Sequence, residues 1–200
     1  QILRSRWEKC AVSLQPELVD ARKTQNSELW EAELTMFGAT HHLTETLIRE
    51  HFIEGKYGVY FNPAGGENNH HEDVAVVSDL AWAAKRLDEV GLRVAYIDWD
   101  AHHCSDVETV LDGTGILTAS IHAVSADETE LPTTEQHINY EMPTTATDSD
   151  LVAAVATIID TLEERGGVDV LVLNIGADGY APDDSTDLGL TEEGYFLSAK

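Results

Sequence analysis

The residues from Arg93 to His103 (RVAYIDWDAHH) start as an apolar strand and end in two carboxylates and two imidazoles. Side chains on a strand alternate faces, so Asp98 and Asp100 point the same way, and His102 follows if the extended path continues. Neighbouring carboxylates repel unless protons or a cation neutralise them. An imidazole at matching spacing makes a metal ion the economical explanation; the plain alternative is a polar strand-to-loop junction with solvated charges. A later apolar run, 168–173, leads into Gly176-Ala177-Asp178-Gly179. Asp100, His102 and Asp178 together form a three-ligand set that leaves coordination positions open, as catalytic metals require. Oxygen-rich ligation of this kind suits zinc, and also iron(II) or manganese. His70 and His71 follow a turn-rich Asn62-Pro63-Ala64-Gly65-Gly66 and stand to move protons to and from a metal-bound water. Their alternative is a pair of loop histidines facing solvent. His41 and His42 fall inside a helical pattern and read as polar helix surface.

The elements that must position these residues follow from periodicity. A helix is expected over 27–51, with Gly38 as a possible break, and a short strand over 57–61. A helix over 73–90 stops at Gly91, and the strand over 93–97 comes next. A short helix over 105–111 and a strand over 115–121 follow. Residues 123–147 read as a long polar loop with Pro132 and Pro143. A helix over 150–165, capped by Ser149 or Asp148 and stopped by Gly166-Gly167, precedes the strand over 168–173. Thr191-Glu192-Glu193 opens a last helix. Residues 1–26 are mixed and weakly patterned. Strands alternating with helices predict a mainly parallel sheet in a three-layer αβα fold, with 1–200 as one domain. The strands are apolar throughout, which predicts helical cover on both faces. In such sheets sites gather at the carboxyl ends of the strands, where all the candidate residues fall.

Composition narrows the partners. Of 200 residues, 37 are Asp or Glu and 12 are Lys or Arg, for a net charge of −25 with His neutral. The acids are spread along the chain, so they describe an acidic surface, which repels nucleic acid and anionic membranes. Adaptation to high salt is the favoured account of that surface. Cys10 and Cys104 form no disulfide framework, which fits a reducing cytoplasm. No apolar run reaches membrane-spanning length.

Asn62-Pro-Ala-Gly-Gly with a following His-His pair resembles the histone deacetylase and acetoin-utilisation family. So do Tyr96-Ile-Asp-Trp-Asp-Ala-His-His, Leu117-Thr-Ala-Ser-Ile-His, Gly176-Ala-Asp and Leu188-Gly-Leu-Thr-Glu-Glu-Gly-Tyr, in that order. The resemblance covers roughly residues 38–200. It implies an arginase/deacetylase-like fold and zinc-dependent hydrolysis of an acetyl-amide, with acetyl-lysine, an acetylpolyamine or a related acylated amine as substrate. It implies Asp100, His102 and Asp178 as metal ligands, His70 and His71 beside the metal water with His71 as general base, and Asp98 as the residue that orients His70. It also implies a structural potassium ion near Asp98, Asp100, His102 and Ser120. The chain departs from the family where Ser105 replaces an expected aspartate, and where two tunnel aromatics are missing. The family's Gly-Gly-Tyr loop would lie past the last matching segment, so a shortened or fragmentary member is expected. Two alternatives share the fold: a non-catalytic deacetylase-like metal-binding protein, and a two-manganese ureohydrolase of the arginase type.

Overall fold

The computed structural model describes residues 27–65, 78–124, 133–182 and 188–200. The chain divides into two compact units, Gln1–Gly91 and Leu92–Lys200.

In the first unit, α1 (Ser27–Arg49) runs unbroken and ends in a π-helical turn, Glu50–Glu54, with Gly55 in the left-handed region at its stop. Gly38 does not break it. One glycine costs about 1 kcal/mol relative to alanine, less than the packing of a face that buries Trp30, Phe37 and Thr44. His41 departs from the expected polar surface. It is buried, and its ring stacks on Trp82 at 5.1 Å, while His42 is exposed. The expected strand at 57–61 is absent: no ladder forms there among the described residues, and Tyr57, Val59 and Phe61 lie exposed. An apolar run becomes a strand only where a neighbouring backbone takes up its N–H and C=O groups. Helix α2 (Asp79–Glu89) is capped by Ser78, whose hydroxyl accepts from the Ala81 N–H, and is stopped by Gly91. It begins later than the expected 73; residues 73–77 lie outside the described residues.

The second unit is built on a parallel sheet in the order β3-β2-β1-β4. Its elements are β1 (Val94–Trp99), α3 (Ser105–Leu111), β2 (Leu117–Ala123), β3 (His137–Met142), α4 (Asp148–Glu164), β4 (Val170–Ile175) and α5 (Glu192–Ser198). Strand β3 lies within the stretch expected to be loop. Its sequence, HINYEM, alternates polar and apolar residues, the period-2 signature of a strand. Helix α4 is capped by Thr147 rather than by Ser149 or Asp148: the Asp150 carboxylate accepts from the Thr147 N–H and hydroxyl, both at 2.7 Å. Asp148 instead accepts from the N–H and hydroxyl of Thr191, the N-cap of α5, which joins the starts of the two helices. On α4, Leu151, Ala154, Ile158 and Leu162 repeat at three-to-four spacing and pack into the core with Ile97, Trp99, Ala119 and Ile121.

Strands β1 and β2 are buried almost throughout, as a covered parallel sheet requires. β4 differs: Val172 and Asn174 are buried, but Leu171, Leu173 and Ile175 are 37–54% exposed. Among the described residues β4 pairs with β1 alone. No helix among the described residues is long and apolar enough to cross a membrane.

Candidate metal centre

Parallel pairing sets Trp99 beside Ile175, so β1 and β4 end level with one another. Asp100 leaves β1 at its first residue, and Asp178 follows two residues after Gly176. Among the described residues, Asp100, His102 and Asp178 converge here, each offering one donor atom within 4.8 Å of the others. Both carboxylates are anchored by backbone. Asp100 Oδ1 accepts from the His102 N–H at 2.6 Å, and Asp178 Oδ1 accepts from the Ala101 N–H at 2.9 Å. The Asp178 Oδ2 atom lies 2.7 Å from His102 Nδ1. His102 remains half exposed, so the group faces an accessible edge.

Gly176 makes this convergence possible. A Cβ at that position would fall inside any attainable contact distance of the Asp100 Cβ, and 3.0 Å from Asp178 Oδ1. Gly176 also donates its N–H to the Trp99 carbonyl at 2.9 Å, which draws the two chain segments together. The requirement is for space, since Gly176 does not adopt positive φ.

The donor set fits a zinc ion. Tetrahedral zinc with bonds of roughly 2.0–2.1 Å holds its donors about 3.3 Å apart. His102 Nδ1 and Asp178 Oδ2 need to part by only about 0.6 Å from their present hydrogen bond to reach that spacing. One nitrogen and two carboxylate donors also suit iron(II) and manganese. Cys104 is not part of the set. Burial first, and the nearby carboxylates of Asp98 and Glu108 next, push its thiol well above the usual range, so it stays protonated.

Asp98 stands apart from this set. It is fully buried; Tyr96 donates its hydroxyl to Oδ2 at 3.1 Å, and Asn174 donates its amide to Oδ1 at 3.2 Å. A buried carboxylate needs such donors to remain charged. Sequence reasoning missed both. The available signals were Tyr96, two residues back on the same strand face, and an asparagine inside the apolar run VLVLNI. His103 is buried, as is His122, whose imidazole is held down to about pKa 4 first by burial and then by its neighbour His103. His70 and His71 lie outside the described residues. Ser105, where an aspartate was expected, opens α3 at an exposed position, and Asp106 follows it in the first turn.

A family model described as histone deacetylase domain matches residues 3–200. No curated protein matches the chain. Among solved structures, one described as the crystal structure of an HDAC homolog complexed with SAHA superposes with a TM-score of 0.66 at 23% identity. The match covers 80% of this chain and 47% of that one, so this chain spans about half the length of the structure it matches. The likeness gives the fold: a three-layer α/β architecture of the arginase/deacetylase type.

Proposed function

Because the chain belongs to the histone deacetylase family, we propose that it is a zinc-dependent deacetylase acting on an acylated amine such as acetyl-lysine or an acetylpolyamine. The observation that carries the reading is the convergence of Asp100, His102 and Asp178 at the carboxyl end of the sheet. When bound there, zinc supplies a Lewis acid that polarises the acetyl carbonyl and acidifies a water. His71 takes a proton from the attacking water, and the paired histidines return one to the departing amine. Asp98, fixed by Tyr96 and Asn174, orients His70. A structural potassium ion near Asp98, Asp100, His102 and Ser120, and a cytoplasmic setting with high salt, complete the proposal.

Ser105 favours a second reading, a metal-binding deacetylase-like protein without turnover. The expected carboxylate behind His71 is replaced by a hydroxyl at an exposed helix start. Metal analysis joined to an acetyl-lysine fluorogenic assay separates these readings. One zinc per chain with turnover supports the deacetylase, and one zinc without turnover supports the binding protein. Two manganese ions with urea release would favour the ureohydrolase and overturn both.

A further inference from the structure

A single register row crosses the sheet just behind the ligands, and every residue in it is polar. Asn139 on β3 pairs with Ser120 on β2, Ser120 with Asp98 on β1, and Asp98 with Asn174 on β4. Rows in register share a sheet face, so these four side chains form a polar band across the sheet, flanked on β2 and β3 by Thr118, His122, His137 and Glu141. Asn174 serves Asp98. The other end of the row serves a different residue, His103.

His103 directly follows the ligand His102, yet the two are in opposite environments. The side chain of His102 is half exposed, while that of His103 is 2% exposed. His103 Nε2 lies 2.8 Å from Asn139 Oδ1 and 3.3 Å from Glu108 Oε1. Both partners are acceptors there, so Nε2 carries a hydrogen and donates. The His103 ring meets the ring of His122 edge-on at 4.7 Å, and His122 Nδ1 is held by Ser120 Oγ at 2.9 Å. Three elements of the second unit, β2, β3 and α3, therefore grip one side chain whose backbone is shared with a metal ligand.

We propose that Asn139 and His103 are positioning residues for the ligand His102: the bond across β3 locks the 102–103 peptide and thereby aims the imidazole of His102. This rests on the metal reading of Asp100, His102 and Asp178. A bond that merely stabilises the sheet would change melting without changing metal affinity, whereas groups that orient ligands typically affect metal affinity about 10–100-fold.

The test is a chelator-competition titration of zinc on the full chain, with the visible spectrum of the cobalt(II)-loaded protein as a report of ligand geometry. Asn139→Leu removes the acceptor at similar volume, and Asn139→Asp keeps it. Expected are zinc binding at least tenfold weaker and an altered cobalt spectrum for Asn139→Leu, with Asn139→Asp within threefold of wild type. If Asn139→Leu does not fold, Asn139→Ala is held to the same criterion. Unchanged zinc affinity alongside a lowered metal-free melting temperature would overturn the inference, and so would equal weakening by Leu and Asp. Wild-type protein that binds no zinc would instead overturn the metal reading itself.

Discussion

Replacing Gly176 with alanine should cost this protein its metal. The added methyl would sit inside contact distance of the Asp100 Cβ, 3.3 Å from Asp100 Cγ and 3.0 Å from Asp178 Oδ1. Carbon atoms settle at about 3.5–4.0 Å, so the Asp100 stem or the β4 exit must retreat by more than about 1 Å. Metal–ligand distances tolerate about 0.2 Å, and the retreat is several times that. Asp100 then drops out as a ligand or drags the set apart, and zinc affinity should fall at least about a hundredfold, which is about 2.8 kcal/mol. Overpacking adds about 1–3 kcal/mol of instability, which a metal-free denaturation curve measures separately. The assay is zinc competition against a chromophoric chelator. Gly189→Ala serves as control, because a Cβ there meets nothing within 4 Å and the backbone needs no positive φ. A Gly176→Ala protein that folds and holds zinc within threefold of wild type would refute the reasoning.

Asp178→Asn should leave less than one-tenth of the wild-type zinc in metal analysis, and unchanged content would reject Asp178 as a ligand. His122 ties stability to pH with a definite sign. Its folded pKa of about 4 lies below the ordinary 6.5, so the neutral form is favoured by folding, and the stability is full above 6.5 and lost as pH falls toward 4. The loss by pH 5 is about 2 kcal/mol, and it should shrink in His122→Phe; parallel urea midpoints for the two proteins between pH 7 and 5 would count against it. With a net charge of −25, self-repulsion should lower the melting temperature in dilute buffer and be relieved as salt rises from about 0.1 to 1 M, where the screening length shortens from about 10 to 3 Å. A melting temperature independent of salt would remove high-salt adaptation as the reason for the acidic surface.

What the sequence made legible was local. Val94–Trp99 and the candidate ligands Asp100 and His102 after it are contiguous, and strand alternation with a charged ending singles them out without knowledge of neighbours. Helix α3 (Ser105–Leu111) was readable to the residue. The errors fall where a partner decides the outcome. The run at 57–61 has a strand's composition but no ladder among the described residues. HINYEM carries a strand's alternation inside a polar, proline-bounded stretch, and β2 offers it a parallel edge. Gly38 and His41 were misjudged for the same reason, since packing against Trp82 and the buried face of α1 outweighs local preference.

The same distinction applies to the candidate site residues. Ligands are recognised by type and spacing, because a metal selects carboxylate and imidazole wherever they occur. The groups around them have no such chemical signature: Asn139 beside His103, Asn174 on Asp98 and Gly176 beside Asp100 are identified by register and by available space. Asn139 is the extreme case. It lies on a strand read as loop, and its hydrogen bond goes to His103, the residue after the candidate ligand His102. A one-residue slip in the pairing of β3 would send Asn139 to the opposite face and replace it with Ile138 or Tyr140, neither of which accepts a hydrogen bond from a buried imidazole as a carboxamide does. If Asn139 positions His102 as proposed, the register of β3, an edge strand among the described residues, is coupled to the aim of that imidazole, which follows the end of β1 two strands away.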